Sequence, residues 1–293
     1  MTPKKPLARK VPWNDKSGRF SPLKTTTLVL VVLPALWLLY RTLFIGLGPR
    51  PLIEANHFLG DWTIYFLLLT LSVTPARRLF DWSKLIQIRR ILGLTTLFYI
   101  LGHVTLYIAD SKFDLLFVGQ EIVLRIYLTI GFAAILGLVA LGVTSTDGMV
   151  RRMGALAWNR LHRLVYVIGF LAFLHYYMQA KADVTQPVLF SGFFFWLMGY
   201  RLMARFGYKT GLAPLLVLAV SAALTTALAE AAWYAVMRPG IGIAPVLMAN
   251  LDFSFQIRPA WWVLAAGLAV AVAAEVRRRV GNIRPRPRPA SAM

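Results

Sequence analysis

The stretch 159–181, NRLHRLVYVIGFLAFLHYYMQAK, decides the fold. Its middle is apolar and aromatic, and a histidine stands toward each end, His162 and His175. A helix needs about 20 predominantly apolar residues to cross the hydrocarbon core, and this run is close to that length. Thirteen residues separate the two imidazoles, which is roughly 20 Å along a helix axis. A ring that can ionise is costly in hydrocarbon and marks a functional position with a partner to be found.

Seven further apolar runs of spanning length lie outward from this one, at 28–45, 58–74, 91–109, 122–143, 187–204, 212–237 and 259–276. The pattern is that of an all-α, polytopic membrane helix bundle of about eight spans. Composition agrees: 58% of residues are hydrophobic and 15% charged, against about 25% charged in a soluble domain. Basic tails at 1–24 and 277–293 flank the spans.

The formal charge is +20, but its placement points to a membrane and away from nucleic acid. With eight spans both termini share a side. Of the 32 Lys and Arg, 25 fall on the side of the termini, and 7 on the other (Arg41, Arg50, Lys112, Arg125, Lys181, Arg238 and Arg258). Basic segments stay cytoplasmic, so both termini are expected inside and membrane lipids are expected partners.

The chain has no cysteine and four histidines. That excludes thiolate metal sites, iron–sulfur clusters and c-type haem attachment, and leaves imidazole as the main metal donor. A b-type haem between helices needs two imidazoles at matching depth, and a bis-histidine iron suits electron transfer. His103, in the outer half of the third span, and His175, near the outer end of the fifth, meet that condition. His57, at the outer end of the second span, is an alternative. Met178, three residues beyond His175, is a possible thioether donor with packing as its other use. His162 stands alone at the inner end. On an ideal helix it points about 140° away from His175, so the two share a neighbour only if the helix bends, bulges or displaces its first turn. Gly169 is a candidate bend. Each imidazole has an alternative use in packing the bundle and bonding a nearby carbonyl or headgroup.

Arg77, Arg78, Lys84, Arg89 and Arg90 gather on the inner side, as do Arg151, Arg152, Arg160 and Arg163. Topology and anionic lipid account for most of them, and a guanidinium cluster also fits haem propionates or a flavin phosphate. Glu230, near the outer end of the seventh span, is expected to snorkel to the interface. Trp13, Trp62, Trp82, Trp158, Tyr176, Tyr177, Trp261 and Trp262 read as interfacial anchors.

Several segments, in order, resemble one family: HFLGDWT at 57–63, RRILGL at 89–94, LGHVTLY at 101–107, EIVLRIYLTIG at 121–131, VTSTDGMVRRMG at 143–154, WNRLHRLVY at 158–166 and LHYYMQAK at 174–181. They are similar to the haem-binding membrane subunit of the bacterial periplasmic protein-methionine-sulfoxide reductase system, within the ferric-reductase-like transmembrane superfamily. The likeness covers about 25–205. It implies a six-helix haem-binding core there, two additional spans at 206–276, and a bacterial inner-membrane location. It also implies b-type haem and FMN as cofactors, with His103, His162 and His175 as haem histidines and Arg89 and Arg90 as the arginine pair. The implied acceptor is a periplasmic molybdopterin-containing catalytic subunit, and the implied donor is the quinone pool or a cytoplasmic flavin reductase.

The reading that follows is an electron conduit with no substrate chemistry of its own. A ferric-chelate reductase would use nearly the same membrane chemistry, and the segment-by-segment likeness counts against it. A non-redox transporter would leave His103 and His175 as packing residues, and neither paired intramembrane carboxylates nor an inverted repeat favours one.

Overall fold

A computed structural model describes residues 11–15, 17–180, 183–208, 210–254 and 256–283. The basic residues Lys4, Lys5, Arg9, Lys10, Lys16, Lys181 and Lys209, and the arginines beyond 283, lie outside the described residues. Apart from one isolated bridge between Asn14 and Phe20, every regular element among the described residues is helical. Among the described residues eight helical segments are long and apolar enough to cross a membrane, at Pro22–Ile45, Pro51–Leu79, Ser83–Asp110, Ile126–Val143, Ala155–Ala180, Thr185–Arg205, Leu212–Met237 and Pro259–Gly281. The protein is a polytopic membrane helix bundle, and each expected span has its helix. The chain divides into two compact units, Met1–Thr74 with Lys84–Lys181, and Pro75–Ser83 with Ala182–Met293.

The first unit holds α1 (Pro22–Tyr40), most of α2 (Pro51–Leu79), α3 (Arg89–Asp110), α4 (Leu115–Leu124), α5 (Ile126–Val143), α6 (Asp147–Met153), α7 (Ala155–His162) and α8 (Val165–Ala180). Val31 of α1, Phe66 and Val73 of α2, and Leu92 and Tyr99 of α3 form its buried apolar cluster, with Leu59 and Trp62 packed against it. The other faces of α1 show Leu30, Leu33, Leu36 and Leu39 about half exposed, the pattern of a helix whose second solvent is lipid. Pro34 lies inside α1 and removes a backbone donor there. The Tyr99 hydroxyl enters α1 beside it, accepting from the Ala35 N–H at 3.1 Å and donating to the Val31 carbonyl at 2.8 Å.

Two helix breaks differ from the sequence reading. The expected fourth span at 122–143 begins instead at Ile126, because Arg125 is extended at φ −109° and ψ 104° and divides α4 from α5. Asp114 caps α4 by accepting from the Phe117 N–H, and the Thr129 hydroxyl takes up the Ile122 carbonyl at the other end. With both ends satisfied, the ten-residue α4 stands as its own helix.

The second break falls between the two histidines of 159–181. It lies at Arg163–Leu164, directly after His162, and not at Gly169, which stays inside α8. Leu164 N–H bonds to Leu161 and Tyr166 N–H to Arg163, the tighter three-residue spacing. The displaced first turn is what frees His162 from the ideal-helix angle.

The second unit contains α9 (Thr185–Arg205), α10 (Leu212–Met237), α11 (Ile243–Ala249) and α12 (Pro259–Ile283). The sequence reading grouped α9 with the preceding spans; in the structure it packs against α10 and α12. Small residues set that closeness: a Cβ on Gly192 would stand 2.4 Å from Val263 Cγ2, and one on Gly267 would stand 2.7 Å from Ala219 Cβ. Glu230 corrects an expectation. It does not snorkel but is buried at 1% exposure, paired with Arg258 at 3.1 Å and facing Asn250 Nδ2 at 3.5 Å. Arg258, at the foot of α12, reaches back to it, so the carboxylate keeps a partner without reaching the surface.

Candidate functional site

His103 and His175 are built into the first unit by one device used twice. His103 projects from α3 toward α2, where its Nδ1 lies 2.9 Å from the Asn56 carbonyl. The Asn56 side chain returns a bond from Nδ2 to the His103 carbonyl at 2.8 Å. His175 projects from α8 toward α5, with Nδ1 2.8 Å from the Tyr127 carbonyl. A carbonyl can only accept, so Nδ1 carries the proton in both rings and Nε2 keeps its lone pair. Among the described residues no hydrogen-bond partner meets either Nε2.

Each ring also lies over a glycine. The nearest atoms to a Cβ on Gly60 of α2 would be His103 Nδ1 and Cε1, at 3.1 and 3.2 Å. On Gly131 of α5 they would be Nδ1, Cε1 and Cγ of His175, at 2.7, 3.0 and 3.2 Å. Both rings are half-buried, and His103 lies within electrostatic reach of His175 and His57.

His57 itself is exposed. One turn further along α2, Asp61 accepts from the Tyr176 hydroxyl at 2.8 Å and ties α2 to the residue beside His175. Met178 is half-buried a turn beyond His175. Sequence reasoning took Tyr176 and Trp158 as interfacial anchors, yet both do internal work, as does Trp62 in the α1–α3 cluster.

The His162 end is built differently. His162 closes α7, its Nδ1 donating to the Trp158 carbonyl one turn back at 3.1 Å. Its Nε2 faces the Ser145 hydroxyl oxygen at 3.3 Å, while the single proton of that hydroxyl is donated to the Leu141 carbonyl at 2.7 Å. The Trp158 indole stacks on the imidazole, with centroids 3.7 Å apart and planes at 23°, and is itself held by Nε1 donating to the Thr144 carbonyl. Arg89 and Arg90 lie within electrostatic reach of this ring. Arg90 is paired with Asp147 at 2.7 Å, both side chains about half exposed. The structure therefore brings Arg89, Arg90 and His162 together at one level, and His103, His175 and His57 at the other.

The chemistry this permits is limited and specific. Among the described residues there is no cluster of three or more His, Cys, Asp or Glu side chains able to hold a metal ion. Two imidazoles with free Nε2 suit a metal that brings the remaining ligands with it.

The family model of the ferric reductase like transmembrane component matches residues 59–174. A Rhodospirillum rubrum protein, named protein-methionine-sulfoxide reductase heme-binding subunit MsrQ, is 42% identical over 192 residues, covering 64% of this chain and 89% of its own. Relatives of the same name from Herminiimonas arsenicoxydans and Xanthomonas campestris pv. campestris are each 43% identical, over 172 and 161 residues. These cover 58% and 55% of this chain, and 79% and 73% of the relatives. No solved structure matches.

Proposed function

Since the chain belongs to the family of protein-methionine-sulfoxide reductase haem-binding subunits, we propose that it relays electrons across the membrane through b-type haem held by His103 and His175. The observation that carries this reading is the matched pair of imidazoles, each with Nδ1 bound to a carbonyl and Nε2 without a protein partner. Haem supplies four equatorial nitrogens and a one-electron iron couple, and needs just two axial donors from the protein. Such a group does not need the cluster of three or more ligating side chains that the described residues lack. The carbonyl bonds hold both rings in the ligating tautomer and make them stronger donors.

The wider reading places the protein in a bacterial inner membrane with both termini cytoplasmic. The acceptor is a periplasmic molybdopterin-containing catalytic subunit that reduces methionine sulfoxide. That reduction takes two electrons and two protons and releases water, so each turnover draws two single-electron transfers through the membrane subunit. The donor is the quinone pool or a cytoplasmic flavin reductase. Arg89 and Arg90, at the level of His162, suit the phosphate of FMN on the inner side. The chain's own residues hold and orient; they carry out no substrate chemistry.

The test is a reduced-minus-oxidised absorption spectrum of the detergent-purified protein, with a pyridine haemochrome assay for stoichiometry. One low-spin b haem per chain is expected. Protein that stays haem-free when made with ample haem would end the conduit reading.

A further inference from the structure

We infer that Gly60 and Gly131 are positioning residues, which admit the imidazoles of His103 and His175 to the backbone carbonyls that orient them. The inference rests on the reading that these two histidines hold the haem. The two sites share a construction that chain position alone does not suggest. The carbonyl that receives His103 belongs to Asn56, four residues before Gly60. The carbonyl that receives His175 belongs to Tyr127, four residues before Gly131.

In an α-helix the residue four places on lies directly above a given carbonyl, and its N–H already points at that oxygen. Its side chain then stands beside the one direction from which a second donor can approach. A hydrogen at that place leaves the approach open, whereas a methyl closes it.

The distances bear this out. The atoms a Cβ would meet are the ring atoms that make or flank the hydrogen bond, at 2.7 Å from Nδ1 over Gly131 and 3.1 Å over Gly60. Gly102 and Gly137, in the same helix pairs, would bring a Cβ within 2.9 Å of Leu59 Cδ1 and 2.7 Å of Ile168 Cγ1, aliphatic carbons that take no part in a hydrogen bond. The Gly131 site is the tighter. A ring held at 2.7 Å has to turn or withdraw, while one at 3.1 Å can give by a few tenths of an ångström.

The donor bond at Nδ1 fixes which nitrogen is free and raises the electron density on it. An imidazole pushed off its carbonyl is a weaker donor, which favours the reduced over the oxidised metal. The signature of a positioning role is therefore a raised midpoint potential. A loss of packing alone would not single out that quantity.

The experiment compares Gly131→Ala and Gly60→Ala with the packing controls Gly137→Ala and Gly102→Ala. Each is made in the full chain, purified in detergent, and measured for haem per chain, spin state and midpoint potential. Gly131→Ala is expected to retain haem about tenfold less well or to show a high-spin, five-coordinate spectrum. Gly60→Ala is expected to keep its haem with a raised potential. The two controls should match the parent in spectrum and potential. Parental potentials in both Gly60→Ala and Gly131→Ala would overturn the inference, as would equal changes in the controls. Should Gly131→Ala yield no folded protein, the potential of Gly60→Ala decides alone. His103→Ala and His175→Ala run alongside separate the two readings. Haem surviving those variants removes the ligation reading, while haem lost there with silent glycine variants removes the positioning role alone.

Discussion

The two histidine levels of the first unit, made outer (His103 and His175) and inner (His162) by the proposed orientation, use the same residue for opposite ends. At the outer level, His103 and His175 each take a carbonyl from a neighbouring helix and leave Nε2 without a partner. At the inner level, His162 takes its carbonyl from its own helix, its Nε2 meets Ser145, and an indole covers its face. The outer rings are fixed between helices and open at Nε2. The inner ring is fixed locally by its Nδ1, and its Nε2 is closed in by a hydroxyl and its face by an indole. An imidazole is thus a ligand or a structural element according to which hydrogen bonds reach it first, and burial by itself does not distinguish the two.

The largest effect that could break this contrast comes from deleting the rings. His103→Ala or His175→Ala is expected to remove most of the haem absorbance in a difference spectrum, whereas His162→Ala keeps most of it. Equal losses from all three would make the levels alike. A smaller effect sharpens the inner level: with Arg89→Ala and Arg90→Ala together, co-purified flavin falls several-fold while haem per chain holds. Haem loss in that double variant would instead place the guanidiniums at propionates. The smallest is Ser145→Ala, which removes the hydroxyl facing Nε2 of His162. The ratio of haem to chain is expected to stay at one by pyridine haemochrome, and a ratio of two would turn the inner level into a second metal site.

The spans were legible because hydrocarbon thickness imposes a length that composition reveals directly. Glu230 shows where that reasoning ends. Its place near the end of its span suggested a snorkelling carboxylate, but Arg258 arrives from the segment just before α12, and 28 residues of chain hide the pair from any local pattern. The break after His162 was left as one of several remedies for the angle, since Arg163 and Leu164 carry no Gly or Pro to announce it. The site residues that sequence reasoning missed, Asn56, Gly60, Tyr127, Gly131 and Ser145, act through a backbone carbonyl, a missing side chain or a hydroxyl. None of these has a residue-type signature for metal chemistry. The available signal was geometric: Gly60 and Gly131 lie within quoted segments, each on a helix that faces a histidine, where a glycine inside an apolar helix calls for a close neighbour.

The Tyr99 hydroxyl in α1 bears on how the protein is made. The first span leaves the ribosome carrying the gap that Pro34 opens in its backbone bonding. The group that bridges Val31 and Ala35 beside that gap lies 64 residues further along the chain. Until it is synthesised, lipid offers the exposed backbone no substitute. The first span is thus a provisional element during synthesis, and the third completes it, which makes the order of insertion part of the fold.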